Sequence, residues 1–309
     1  MIPEIDPYAI TTDAFKKIFT VGEDRTGINS AMLVGCLSDD DKANLDAWWA
    51  NQSEYFKLDL ETKEQHAYNM QHHVGYERYN KFRFFTERFY YYTARMEHVG
   101  WPKELDRDLA MKCVEIKDRI SLRILEIMDE IVGGTQLVDS QRNQPLNTSG
   151  ILYYPAYDGP VYRRAIRHDV HADYNLITLF FQEPGEVEDT CFQIRDQAGN
   201  WHTTPRVPYG ICLCLSNLIE YWSNTYFKCT PHWVTNNAIE YKRYINTHYV
   251  MPSLGTVLEP LLDYKIGEDI VLENREWYGG DPHIIPASEP RMVIDSFTPA
   301  RKINKGWQG

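Results

Sequence analysis

The sequence predicts a mainly β domain with flanking helices, built as a sandwich, jelly roll or barrel. From Ile151 onward the chain breaks into short β-like runs at close, regular spacing: "GILYYPAY", "VYRRAIRH", "NLITLFFQ", "TCFQIRD", "YGICLCLSN", "HWVTNN" and "YKRYINTHYVM". Before them, apolar residues recur at helical spacing. No Gly/Ser/Pro linker, internal repeat or low-complexity block divides the 309 residues. One domain is therefore expected, with a mostly helical part (1–145), a β core (146–252) and a C-terminal helix and tail (253–309).

Each element has a local cause. In "LSDDDKANLDAWWANQSEYFKLD", Asp39 to Asp41 supply acidic capping residues, and Leu45, Trp48, Trp49, Tyr55 and Phe56 recur at helical spacing. A second helix is expected from Pro102 to Ile131, where proline suits the first turn and Gly133-Gly134 ends it. Its apolar stripe suits a brace against a sheet. A helical piece is read near "LGTVLEPLLDYKIG". The aromatic stretch "KFRFFTERFYYYT", 81 to 93, can line the mouth of a site or pack against the β core; within it, Phe85 is a candidate substrate contact.

Charge and composition exclude several partners. With 32 Lys and Arg against 44 Asp and Glu, the net charge of −12 repels phosphate backbones, so nucleic acid is not an expected partner. No stretch reaches the roughly 18 apolar residues of a membrane span. The start "MIPEIDPYAITTDAF" has neither a basic leader nor an apolar segment, which makes the cytosol the expected compartment. Cys36, Cys113, Cys191, Cys212, Cys214 and Cys229 are scattered without a C-x-x-C pair, and are read as buried free thiols. A monomer is the default state.

The chemistry is concentrated in "RHDVHADYNLITLFFQE", 167 to 183, which sets polar groups at the mouth of an apolar strand. Buried polar groups are costly unless satisfied, so their placement there needs a reason. His171 and Asp173, two residues apart, are a weak signal alone. His232, at the start of a later strand-like run, supplies a third ligand. Two imidazoles and one carboxylate form a facial triad for iron, leaving adjacent coordination sites open. Arg243, on the next strand, offers a planar fork suited to gripping a carboxylate in two places.

With these residues in place, the chain resembles the isopenicillin N synthase-like iron(II)/2-oxoglutarate dioxygenases. The landmarks "IPEID", "SEYFKLDLETK", "VGY", "LYYP", "HADYNLITLFFQ", "GNWHTTPRVPYG", "EYWSNTYFKCTPHWV" and "KRY" occur in that family's order, over nearly the whole chain. The resemblance implies a double-stranded β-helix (jelly-roll) core. It implies Fe(2+) on His171, Asp173 and His232, with 2-oxoglutarate and O2 as cosubstrates. Arg243 would hold the distal carboxylate of 2-oxoglutarate, and Tyr154 would be that carboxylate's second partner. The implied reaction is oxidation of an unactivated C–H of a small molecule by hydroxylation, desaturation or cyclisation, in specialised metabolism. Asp173 disfavours halogenation, since the resembling halogenases carry a small residue there.

Five positions depart from the family's pattern. Ile245 stands where a serine usually follows the arginine, Leu152 where many members have asparagine, Ser216-Asn217 for Gly-Asp, and Trp233 for an arginine. Losing one hydrogen bond to a charged group costs about 1.5–3 kcal/mol, which Thr247 or Tyr154 could offset. Arg167, four residues before His171, is a candidate contact for an acidic substrate or else a solvated edge residue; Arg163 and Arg164 alternate beside it. His168 has no ligand role in the pattern, and His248 falls on the strand face opposite Arg243. Two other classes stay open: an iron oxidase of the same family that does not use 2-oxoglutarate, and a non-catalytic jelly-roll binding protein.

Overall fold

The computed structural model describes residues 1–23, 25–81, 84–157, 167–183, 191–235, 241–264, 270–272, 283–285 and 293–294. In chain order the elements begin with β1 (Glu4–Ile5), α1 (Thr12–Phe19), β2 (Ser30–Leu33), α2 (Asp39–Tyr55), α3 (Leu60–Glu64), β3 (Gly75–Lys81) and β4 (Phe84–Tyr91). After a 3-10 turn at Thr93–His98 come α4 (Arg107–Val132), α5 (Gln136–Asp139), β5 (Thr148–Tyr154), β6 (His168–His171) and β7 (Ile177–Gln182). The chain continues through β8 (Phe192–Arg195), β9 (Trp201–Thr203), β10 (Ile211–Leu215), α6 (Asn217–Trp222), β11 (His232–Val234) and β12 (Arg243–Val250). The last elements are β13 (Ile270–Leu272) and β14 (His283–Ile285).

Two sheets share one interior. The larger runs β1-β2-β10-β7-β12-β5-β4-β3 and the smaller β6-β11-β8-β9, while β13 and β14 pair as a separate ribbon. All neighbours are antiparallel except β1 with β2. This is the expected jelly-roll arrangement.

Period-2 alternation gives the central strands two different faces. On one face Ile151, Leu179, Phe181, Ile211, Leu213 and Tyr244 join the core beneath the helices. On the other, Leu152, Tyr154, Phe180, Cys212, Cys214 and Ile245 meet Phe192, Ile194 and Val234 of the smaller sheet. Both faces are covered, so β7 and β10 read as continuous buried runs rather than as alternating ones.

The helices brace the outer face. Ser38 caps α2 in a reciprocal box with Asp41; the serine immediately before the acidic run holds the helix start. Trp48 lies edge-on to Tyr91, and Phe56 stacks on Tyr153, which stacks on Tyr244 at 4.7 Å. Gln52 donates to Asn246 at 2.9 Å, fixing α2 on β12. Helix α4 starts at Arg107, capped by Asp106, five residues after the proline expected to open it, and ends at Gly133 with φ 72°, as the Gly-Gly pair predicts. His248 pairs with Asp118 of α4 at 2.9 Å, on the face opposite Arg243 as alternation requires.

Two regional expectations differ from the structure. The part before residue 146 also holds β1 to β4, and within the aromatic stretch Phe84–Tyr91 form β4. Glu87 pairs with Tyr153, so a distant strand in the sequence fixes that conformation. No helix spans 253–264, because Gly255 takes φ +81° and Pro260 lacks the amide a helix interior needs. The six cysteines are buried free thiols. Among the described residues no helix is long and apolar enough to cross a membrane.

Gly150 lets β4, β5 and β12 approach closely: a Cβ there would lie 2.6 Å from the Thr247 hydroxyl and 3.0 Å from the Tyr90 ring. Gly150→Ala should therefore lower stability by about 1–3 kcal/mol in urea unfolding. An unchanged midpoint would show that the two neighbours shift freely.

Candidate metal centre and its cavity

His171 ends β6 and His232 begins β11, and the two residues are direct partners in that antiparallel pair. Asp173 follows just after β6, so the neighbouring His171 and Asp173 meet the distant His232 at one end of the smaller sheet. Asp173 Oδ1 is 3.5 Å from His171 Nε2, and its Oδ2 is 3.8 Å from His232 Nε2. One ligand atom from each lies within 4.8 Å of the others. Among the described residues this is the only such His/Cys/Asp/Glu group.

The backbone sets both imidazoles for metal binding. His171 Nδ1 contacts the Asp169 carbonyl at 2.8 Å and His232 Nδ1 the Thr230 carbonyl at 2.9 Å. A carbonyl only accepts, so each Nδ1 carries the proton and each Nε2 presents its lone pair inward. Burial, reinforced by His171 beside it, lowers the His232 pKa to about 4, so this ring is neutral at physiological pH. Its Nε2 is buried without a hydrogen-bond partner among the described residues. Burial pushes the Asp173 carboxyl up, but His232, His171 and Thr178 outweigh it and hold its pKa at about 2. A buried imidazole nitrogen left open beside an ionised carboxylate is the donor set a divalent metal satisfies. The residues fit iron(II).

A second layer orients Asp173, and sequence reasoning missed it. Thr178 Oγ1 donates to Asp173 Oδ2 at 2.7 Å, and Ser216 Oγ lies 3.4 Å from the same hydroxyl. Asn217 donates its backbone N–H to the Asp173 carbonyl and its side-chain amide to that of Ala172. The Ser216-Asn217 departure thus holds the ligand turn in place. Thr178 could have been suspected as the inward-facing residue five positions after Asp173.

The triad opens into a cavity enclosing about 430 Å³, mouth included. Arg243 and Tyr154 line it, paired across β12 and β5, with the Arg243 guanidinium 5.9 Å from the Tyr154 ring centre and 5.6 Å from that of Phe192. Arg243 also donates to Cys191 Sγ at 3.3 Å. Burial raises the Tyr154 phenol to about 12, with Arg88 and Arg243 opposing, so it remains a donor at neutral pH. Ile245 pairs with Leu152 across β12 and β5, and the two departures make one apolar patch in the wall.

Other expected residues fall elsewhere. The Arg167 guanidinium donates to the Tyr241 carbonyl at 3.1 Å and the Pro155 carbonyl at 3.4 Å, and Arg167 does not line the cavity. Thr247 contacts the Gly150 carbonyl and does not line it either. His168 does, its ring 4.2 Å from that of His171. Trp233 points away, stacking on Trp201 at 4.8 Å, so the lost arginine leaves the site untouched. Phe85 stands on β4 opposite Asn80, but its side chain, like Arg163 and Arg164, lies outside the described residues. Arg88 of β4 and Tyr249 of β12, neither of them foreseen, line the cavity.

Residues 146–252 match the 2OG-Fe(II) oxygenase superfamily, and the triad, Tyr154 and Arg243 all fall within them. A homoarginine-6-hydroxylase from Glycine max is 29% identical over 105 residues, covering 34% of this chain and 30% of the relative's own length. A Caulobacter crescentus protein described as of the 2OG-Fe(II) oxygenase family aligns with TM-score 0.72 at 18% identity, covering 98% of this chain and 99% of that one. The dioxygenase for auxin oxidation 1 from Arabidopsis thaliana, in its 2-oxoglutarate complex, aligns with TM-score 0.68 at 15% identity, covering 84% and 96%. These two likenesses establish the double-stranded β-helix fold.

Two outcomes test the site. Thr178→Val should weaken iron(II) binding about 10–100-fold, as loss of a metal-orienting partner does, measured by competition with a chelator. In metal-free protein, His232 stays neutral in the fold down to about 4 but protonates near 6.5 once unfolded. The unfolded chain then binds more protons, so stability should fall as pH drops from 6.5 towards 4. His232→Gln should flatten that fall in thermal unfolding.

Proposed function

We propose that the chain is an iron(II)/2-oxoglutarate-dependent oxygenase that oxidises an unactivated C–H of a small molecule. The observation that carries this is Arg243 facing Tyr154 across β12 and β5, in the cavity that the triad opens into. A metal site alone would serve an oxidase or a binding protein equally well. A buried guanidinium beside a protonated phenol adds a receptor for the far carboxylate of a dicarboxylate.

Iron(II) held by His171, Asp173 and His232 would supply the oxidising chemistry, using dioxygen and converting 2-oxoglutarate to succinate and carbon dioxide. The chain contributes position and dryness. Asp169 and Thr230 fix the imidazole tautomers, Thr178 orients the carboxylate, and Phe180, Phe192 and Ile245 keep water from the cavity wall. Ile245 donates nothing to a carboxylate, so in this reading Arg243 and Tyr154 carry the grip. The homoarginine-6-hydroxylase match supports a small-molecule hydroxylation, although it spans less than a third of that relative. Six buried free thiols fit a reducing compartment, in keeping with a cytosolic enzyme.

Anaerobic titration of the iron(II) protein with 2-oxoglutarate should give the weak visible charge-transfer band of a chelated 2-oxo acid. Arg243→Ala should raise the concentration needed about tenfold or more, the loss of a hydrogen-bonded charge pair. Iron binding without a band at millimolar 2-oxoglutarate would reject this cosubstrate and favour the oxidase reading.

A further inference from the structure

Three tyrosines form a row from the cavity towards the surface. Tyr249 of β12 lines the cavity and stands directly across from Thr178, the residue that donates to Asp173. Its ring lies 6.3 Å from that of Tyr90 on β4, which also lines the cavity. The Tyr90 ring in turn lies 5.7 Å from that of Tyr68, a half-buried residue between α3 and β3. That segment is at the surface, with Met70 62% exposed. The row ends on a base: Tyr68 Oη and His73 Nδ1 are 2.8 Å apart, and the two rings stand edge to face.

The three phenols differ in what can take their proton. Tyr90 meets the Arg88 guanidinium, which only donates, and Tyr249 meets the Thr247 hydroxyl, a very weak base. Tyr68 has an imidazole nitrogen within hydrogen-bond reach. A phenol gives up an electron readily when its proton leaves at the same time, so an oxidation that starts in the cavity settles on Tyr68.

We propose that Tyr249, Tyr90 and Tyr68 form an electron relay that discharges the oxidant arising at the iron when no prime substrate is present, with the Tyr68–His73 pair as its outlet at the surface. This rests on the oxygenase reading above and adds a protective redox function to the same cavity. Without prime substrate, dioxygen and 2-oxoglutarate are consumed to succinate and carbon dioxide, and an oxidant two electrons above iron(II) is left beside buried side chains that it damages. Each pass draws one electron from Tyr68 through the rings of Tyr90 and Tyr249, while the phenolic proton moves to His73 Nδ1, leaving a neutral phenoxyl radical and an imidazolium. A soluble one-electron reductant such as ascorbate returns the electron, and the imidazolium returns the proton. Two passes restore iron(II), and the second atom of dioxygen leaves as water with two protons from solvent.

The test is rapid-freeze electron paramagnetic resonance without prime substrate. Protein loaded with iron(II) and 2-oxoglutarate under argon is mixed with oxygenated buffer and frozen at a series of times, and succinate is measured in the same samples. The wild type should release succinate and show a phenoxyl radical whose signal narrows when the protein carries ring-deuterated tyrosine, and ascorbate should remove that signal. Tyr68→Phe keeps the ring but should lose the radical, and peptide mass mapping should then find added oxygen on cavity residues such as Tyr249 and Phe192. His73→Gln removes the base and should lose the radical as well, which keeps the test decisive if Tyr68→Phe fails to fold. Succinate release with no phenoxyl signal in the wild type, or a signal unchanged in either variant, would overturn the proposal. Binding of 2-oxoglutarate with no succinate release would overturn it too, since no oxidant then needs an outlet. Absence of the 2-oxoglutarate charge-transfer band in the wild type would fail the oxygenase reading itself, a separate outcome.

Discussion

The central strands of the larger sheet must satisfy two environments at once, and this constraint organises the rest of the molecule. One face lies under α2 and α4, where Tyr153, Tyr244 and Ile151 meet an apolar helical layer. The other faces the smaller sheet, where a void between the sheets can hold polar groups. Strand periodicity sends alternate residues to each, so Tyr244 packs under a helix while its neighbours Arg243 and Ile245 line the cavity. A one-residue slip of β12 would exchange the two sets and place an arginine in the helical core.

Within the cavity, the ligand geometry is held mainly by the backbone. Carbonyls of Asp169 and Thr230 leave the imidazoles no choice of tautomer. Antiparallel pairing of β6 with β11 places His171 and His232 side by side. Asp173 sits in the turn beyond the strand, where Thr178 from β7 and Asn217 from α6 reach it. Two elements distant in sequence thus hold the ligand turn, Thr178 through the carboxylate and Asn217 through the backbone carbonyls of Asp173 and Ala172, the kind of support a metal site needs to hold position.

The departures from the family's pattern have unequal consequences. Trp233 lies on the outer face and is neutral for the site. Ser216 and Asn217 take part in holding the ligand turn. Ile245 and Leu152 make the wall apolar where hydrogen-bonding side chains are usual, and the nearest strand on that side brings Arg88 into the same space. Polar capacity is therefore redistributed within the cavity.

Much was legible in the sequence alone. The β-runs described between Ile151 and Met251, the two long helices, the triad residues, Arg243 and the free thiols follow from local periodicity, capping and residue chemistry, which need only near neighbours, whereas Tyr154 came with the family resemblance. The extended state of β3 and β4 was not legible, because dense aromatic sequence suits a helix or a strand until β5 pairs with β4. The helix read after Pro252 met Gly255 and Pro260, signals present in the sequence but outweighed there by apolar spacing. Arg167 was read as a substrate contact or a solvated edge residue, yet it is buried and the carbonyls of Pro155 and Tyr241 take its guanidinium. What the sequence determined by itself was which residue types could bind a metal and on which strands they stand. Only the tertiary structure decided which of them share a cavity, because Thr178, Arg88 and Tyr249 reach the site through pairings between strands far apart in the chain.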